Sequence, residues 1–445
     1  MAQAFPQSLN ISNLKRKSVA VRNYRINVSA DNGSSFGPSS TIKFNLPQLP
    51  RSYIDPQAMA LRIKVTSTDA TPSTHLDKSA HSLISRITQT CGGSVLSDVS
   101  EYNVLTAMLQ DLQTQQLQAQ SDGVLTIGMG GDLDARLQGV EIDNNAKYFV
   151  IPLWCGINSA ERLVSLDTSS PISYTFYLES ALNCLRSAGT AAQGAAIANY
   201  TVQEAELIGY VSEISQESQV LLQQSLGSLG FNVFYEDWTH ISQTAAQGTT
   251  KSVFNLALRY SALSQLLFCM RNSTNLNNGN QFSISARSYG TLQNYSLTVG
   301  GQKMPSTGVR VGANNFGEVV SELGLSFGLF NDIVNPHSLN QIDMSNGTTT
   351  NLFAVPNGTI ATDGGNGTHA HDASKAGSFC AGLDLDGFKS GELNGIYSGM
   401  NTQSASMSVN CDYTSLPAAM TFSFFGKFQC ILSLDEVTGA YVSSV

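Results

Sequence analysis

Residues 59–66 read Met-Ala-Leu-Arg-Ile-Lys-Val-Thr, with Met59, Leu61, Ile63 and Val65 alternating with Ala60, Arg62, Lys64 and Thr66. A side-chain period of two is that of a β-strand with one dry and one wet face. The same alternation recurs at Tyr295, Leu297 and Val299, at Met407, Val409, Cys411 and Tyr413, and at Phe428, Cys430, Leu432 and Leu434. Between such runs stand Asn-Gly pairs beginning at Asn32, Asn278, Asn346, Asn357, Asn366 and Asn394. These residue types tolerate the positive φ angles of tight turns. The pattern predicts an all-β chain with long polar loops.

Helical spacing is confined to short stretches. Tyr102, Leu105, Met108, Leu109 and Leu112 fall on one stripe and predict a helix within residues 102–117. Val220, Leu221, Leu222 and Leu226 mark a second at residues 216–226, which Gly227 and Gly230 stop. A domain boundary is expected there, dividing the chain into a basic N-terminal arm (1–25), a first β-sandwich (26–215), an interdomain helix and linker (216–230) and a second β-sandwich (231–445). Each sandwich is about two hundred residues, a size that one such domain reaches.

Composition limits the function classes. Only 13% of the 445 residues are charged, where a globular chain carries roughly 25%; Ser, Thr, Asn, Gln and Gly take their place. Disorder needs high charge with few apolar residues, and coiled coils need heptads, so neither fits. A net charge of -9 argues against a surface that is wholly a nucleic-acid footprint. Interface centres are depleted in charge, so a charge-poor surface suggests large partner contacts.

The most apolar stretch, residues 256–270, is interrupted by Arg259, Ser261, Ser264 and Gln265, too short for a membrane span. The first 17 residues lack the apolar core of a secretory signal, so synthesis without secretion is expected. Cys91, Cys155, Cys184, Cys269, Cys380, Cys411 and Cys430 are dispersed, odd in number and never in a CxxC pair. They read as buried free thiols rather than disulfides or a zinc site. Lys15, Arg16, Lys17, Arg22 and Arg25 all precede the first acidic residue, Asp31. This basic arm is either a solvated segment or a contact for an anionic surface.

Motifs that suggest catalysis fail on context. Gly324-Leu325-Ser326-Phe327-Gly328 fits the G-x-S-x-G of hydrolases, with Asp343, Asp363, His369 and His371 following in order. The preceding residues 316–323 read as helix, whereas a nucleophile elbow needs a strand there. Gln89-Thr90-Cys91-Gly92-Gly93 is similar to a caspase cysteine signature, but no histidine precedes His75, so the distant upstream base is missing and Cys91 reads as a strand ending in a turn. Residues 128–131 lack the third glycine of a dinucleotide loop. His369, His371 and Asp372 offer no fourth metal ligand, and Asp384-Leu385-Asp386-Gly387 lacks the glutamate that closes a calcium loop. The expectation is no enzyme, no cofactor, no metal and no small-molecule substrate.

The order of segments then carries a resemblance. Phe44-Asn-Leu-Pro, Tyr53-Ile-Asp-Pro56 and the strand at Met59, followed by Leu83-Ile84, the run from Cys91 to Leu96, and Glu101-Tyr102-Asn103-Val104-Leu105, resemble the first jelly roll of double-jelly-roll major capsid proteins. Residues 202–214, Leu258-Arg259-Tyr260-Ser261 and Leu266-Leu267-Phe268 continue it. LQNYSLTVGGQKMP at 292–305 and FCAGLDLDGFKSGELNGIYSGMNT at 379–402 look like the second roll of such proteins from polinton-like viruses and virophages. Residues 346–377 have no counterpart and would form an outer loop. The resemblance implies two consecutive eight-stranded jelly-roll β-sandwiches with a few short helices and long loops. It also implies homotrimers forming pseudo-hexagonal capsomers that tile an icosahedral DNA-virus shell. Partners would be neighbouring capsomers, penton and minor capsid proteins, and an inner membrane or genome touched by the basic arm. The competing reading is a carbohydrate-binding or adhesin β-sandwich, which would display aromatic platforms in its loops.

Overall fold

A computed structural model describes residues 21–68, 74–113, 125–126, 141–142, 146–167, 171–187, 199–226, 231–274, 276–277, 283–312, 316–327, 378–387, 399–435 and 439–444. In the first half, the principal strands are β1 (Val21–Ser29), β2 (Thr41–Asn45), β3 (Ser52–Ser67), β4 (Ile84–Cys91), β5 (Ser94–Ser100), β6 (Val164–Ser165), β7 (Ile172–Leu178) and β8 (Tyr200–Ile214). In the second half they are β9 (Phe231–Ala245), β10 (Lys251–Leu256), β11 (Leu263–Asn272), β12 (Leu292–Val299), β13 (Gln302–Arg310), β14 (Ala381–Asp384), β15 (Met407–Tyr413) and β16 (Met420–Asp435).

The first eight strands pair in the orders β1-β8-β3-β6 and β2-β7-β4-β5. The second eight pair as β9-β16-β11-β14 and β10-β15-β12-β13, the same order shifted by eight. In each half the first strand lies beside the eighth and the second beside the seventh, which is the jelly roll. The two halves therefore share one topology. Short strands extend this frame: Lys147–Pro152 beside β3, Ser35–Phe36 beside β8 and Gly439–Ser444 beside β16. A small three-stranded sheet of Thr74–Leu76, Glu141–Ile142 and Leu185–Ser187 flanks the first roll.

The alternation at residues 59–66 is the dry-and-wet pattern of β3, whose Leu61, Ile63 and Val65 are buried in the sandwich. The strand begins earlier than the alternation, at Ser52, because residues 56–59 bulge opposite Gly209. Pro56, which has no ladder N–H to give, sits in that bulge. Cys91 does end a strand: Gly92 (φ 58°) and Gly93 (φ 87°) turn β4 into β5, with the paired positive φ that an L-residue with Cβ resists. Packed aromatic rings fill the second roll, with Phe254 tilted against Phe422 at 4.3 Å and Phe268 edge-on to Tyr295 at 5.1 Å.

Among the described residues three helices have more than two turns. α1 is Tyr102–Leu112, shorter than the stripe predicted because Gln113 turns extended. α2 is Gln216–Leu226, lying between the last strand of one roll and the first of the next. α3 is Gly317–Ser326. α1 and α3 each follow the fifth strand of their roll, so the helical insertions repeat with the strands.

The N-terminal expectation needs correction. From Val21 the chain is already β1, paired along its length with β8, so Arg22 and Arg25 are strand residues and not part of an arm. Lys15, Arg16 and Lys17 lie outside the described residues, as do residues 128–131 and 346–377.

Candidate functional site

The second roll presents the outer face of β9-β16-β11-β14 to the first roll, and ionised side chains line the seam between them. After β5 the chain must turn into α1, and Glu101 makes that turn in the left-handed region at φ 48°, ψ 40°. Its carbonyl starts the helix by accepting the N–H groups of Val104 (3.0 Å) and Leu105 (3.1 Å). Its carboxylate crosses to the second roll. There Oε2 accepts Arg271 Nη2 at 2.6 Å and Ser423 Oγ at 2.6 Å, with His240 Nε2 at 3.3 Å. Burial pushes the Glu101 carboxyl up, but the charge of Arg271 and the donors around it win and hold it below the usual range.

A second contact lies at the other end of α1. Asp111 receives both Lys78 of its own roll and the wholly buried Arg287 of the second roll. Burial pushes its carboxyl up, and the two cations outweigh that and hold it below the usual carboxylate range. Asp77, also of the first roll, accepts Ile284 N at 2.7 Å, Ser285 N at 3.3 Å and the Ser285 hydroxyl.

β9 docks by its edge. Ser159 of the 3₁₀ turn Gly156–Ser159 donates its hydroxyl to Glu236 O and accepts Glu236 N, each at 2.7 Å, completing the ladder of an edge strand. Tyr235 donates to Leu96 O at 2.7 Å. Next to it, Asp237 Oδ1 accepts Ser97 Oγ at 2.7 Å and Gly156 N at 3.0 Å. Burial without a cation pushes Asp237 up to about 7, its hydrogen bonds opposing the shift. The arrangement holds two rolls in one fixed orientation. In the same seam Ser100 Oγ stands 3.1 Å from His240 Nδ1, whose Nε2 faces Glu101 Oε2 at 3.3 Å, so the imidazole joins the last residue of β5 to the turn that follows it.

Some of the residues singled out from the sequence have a place in the described structure. Ser326 ends α3 and donates to Leu323 O of its own helix at 2.9 Å, with no strand before it, so it is not an elbow. Asp343, Asp363, His369, His371 and Asp372 lie outside the described residues. Asp384 closes β14 and accepts Asp386 N at 3.3 Å. Among the described residues no group of three His, Cys, Asp or Glu side chains could hold a metal ion, and no helix is long and apolar enough to cross a membrane. All seven cysteines are buried, and none is in a disulfide. The tryptophans make no exposed platform: Trp238 is buried, and half-buried Trp154 stacks on His81 at 4.8 Å.

The seam residues themselves were not anticipated. The available signal was LSQLLFCMRN, residues 263–272. A strand apolar on both faces is covered on both, so an arginine inside it calls for a buried partner.

Two halves with one strand order, standing side by side and joined by a short helix, make this a double jelly roll. Among solved structures the chain is similar to PBCV-1 VP54 fitted into a reconstruction of the virophage Sputnik (TM-score 0.60, 11% identity, 97% of this chain and 98% of that one). It is also similar to the Faustovirus major capsid protein (0.55, 9%, 94% and 91%) and the mavirus major capsid protein (0.53, 11%, 100% and 95%). No family model matches the chain, and no curated protein matches it in sequence.

Proposed function

We propose that the chain is a viral major capsid protein whose work is assembly. The observation that carries this reading is the end-to-end correspondence of both rolls, over 97% of this chain and 98% of the PBCV-1 chain, with a protein fitted into a virus shell. A chain that is two sandwiches locked by a buried polar seam is a rigid tile, suited to repeated contacts by shape and hydrogen bonding. The low charge supports the same reading, since ion pairs would then be few at the contacts.

In this account three copies form a pseudo-hexagonal capsomer and capsomers tile an icosahedral shell, made in the host cytoplasm and not secreted. Penton and minor capsid proteins are further partners. Lys15, Arg16 and Lys17, ahead of β1, are assigned to the inner side, toward a membrane or the genome. No catalytic step is assigned. Light scattering of the purified protein tests the reading: a species of three times the chain mass supports it, and a monomer at high concentration refutes it.

A further inference from the structure

Two of the seven buried cysteines are brought face to face by sheet register. On β11 and β14 the pairs run Gln265–Asp384, Leu266–Leu383, Leu267–Gly382 and Phe268–Ala381. The hydrogen bond from Leu385 N to Ser264 O, 2.9 Å, continues the same register at the other end. One step beyond Phe268–Ala381 therefore puts Cys380 opposite Cys269. Facing residues of an antiparallel pair share one side of the sheet, with Cα atoms about 4.5–5.5 Å apart. A disulfide spans about 4.4–6.8 Å between Cα atoms. Both thiols are 0% exposed.

The other strand cysteines have no such neighbour among the described residues. Cys91 faces Ile172 and Ser94, Cys411 faces Ser252 and Tyr295, and Cys430 faces Tyr235 and Ser444. A buried cation marks the one pair that meets. Arg287 is wholly buried, gives Nη2 to Asp111, and leaves Nε and Nη1 without a hydrogen-bond partner. Burial pushes Cys269 up to about 11, against the charges of Arg271 and Arg287. Burial pushes Cys380 up to about 12, with Arg287 opposing and Cys269 adding to the shift. A cation beside a thiol favours the thiolate that attacks a disulfide.

We propose that Cys269 and Cys380 are a latent disulfide of the second roll, closed by a small disulfide such as oxidised glutathione. The thiolate of one cysteine attacks the reagent's S–S bond, forming a mixed disulfide and releasing one glutathione thiol. The second thiolate then displaces the other glutathione. Two protein thiols give up two protons and two electrons, and the reagent becomes two thiols. Closure needs rotation of Cys269 about χ1, since its thiol now meets the backbone of Ser423. The bond ties β11 to β14 and closes the long stretch that holds β12, β13 and α3, the kind of loop whose closure stabilises most. A reducing cytoplasm keeps the pair open, and oxidising surroundings close it. The bond lies within one chain and does not depend on assembly.

The full chain is held with oxidised or reduced glutathione at a denaturant concentration just below unfolding, where local opening admits the reagent. Peptide mapping without reductant and thermal melting are then read for wild type, Cys380→Ser and Cys91→Ser. Oxidised wild type should yield one linked peptide pair, Cys269 with Cys380, two hydrogens lighter than its parts. It should melt more than about 5 °C above the reduced form. Cys91→Ser keeps both changes, and Cys380→Ser loses both. Wild type in which Cys269 and Cys380 are still free after oxidation, or are each capped by glutathione, overturns the proposal. So does a link from either cysteine to a third, or a melting shift that persists in Cys380→Ser. The wild-type map decides alone if Cys380→Ser does not fold.

Discussion

Glu101→Gln removes one charge from the seam and leaves its shape. The wild-type carboxylate faces Arg271, which is 3% exposed, accepts the Ser423 hydroxyl and stands 3.3 Å from His240 Nε2. The substituted amide can still accept one hydrogen bond, so the loss is chiefly the uncompensated guanidinium. Removing one partner of a buried pair costs about 3–5 kcal/mol. The Glu101 side chain is 31% exposed, and solvent screening reduces that to about 2 kcal/mol. In a roll of roughly two hundred residues this lowers the melting temperature by about 4–8 °C. The sharper assay is a double-mutant cycle with Arg271→Met, read by chemical denaturation at pH 7. A coupling of about 1–3 kcal/mol is expected for groups in direct contact, with the second roll loosening first. A coupling below ~0.5 kcal/mol, the level of independent sites, would refute the claim that this pair locks the rolls.

Asp237→Asn should stabilise the protein at pH 8 and not at pH 3. The wild-type carboxyl, raised from 3.8 to about 7, stays protonated in the folded chain while the unfolded chain releases its proton. Stability is therefore lost as pH rises through about 4–7 and levels off above, by at most ~4 kcal/mol; a pH-independent effect of the substitution would contradict this. Glu101 and Asp111 act in the opposite sense. Their lowered values give stability that is present above the ordinary carboxylate range and lost as pH falls below it, so acid titration followed by light scattering and melting should show the seam opening below about pH 4. Gly156→Ala is expected to cost several kcal/mol and to lower the melting temperature by more than about 5 °C. Gly156 has φ +56°, and a Cβ there would stand 2.2 Å from Gln89 Oε1 and 2.5 Å from Ser97 Cβ. A thiol reagent should find no fast-reacting group in the native protein and all seven cysteines in denaturant, since each is buried; burial pushes Cys380, Cys411 and Cys430 up to about 12.

Local physics was legible wherever one face of an element is wet. β3, β12 and β15 announce themselves by period because solvent selects every second side chain. β11 hides its period, since its outer side chains are covered rather than wet, Arg271 by Glu101 of the first roll and Leu267 beside Leu323 of α3. The seam was illegible for a different reason. Glu101, Arg271 and Ser423 are brought together from separations of 170 and 322 residues, and nothing local to Glu101 distinguishes it from an ordinary helix start. The same holds for Arg22 and Arg25: a run of cations before the first acid reads as an arm, and only pairing with residues 206–214 reveals a strand.

The most direct test of the account is a cryo-EM map of the purified protein. The account predicts a closed trimer with a hexagonal outline and six sandwiches around one axis. A monomer, or an oligomer of another symmetry, would contradict it.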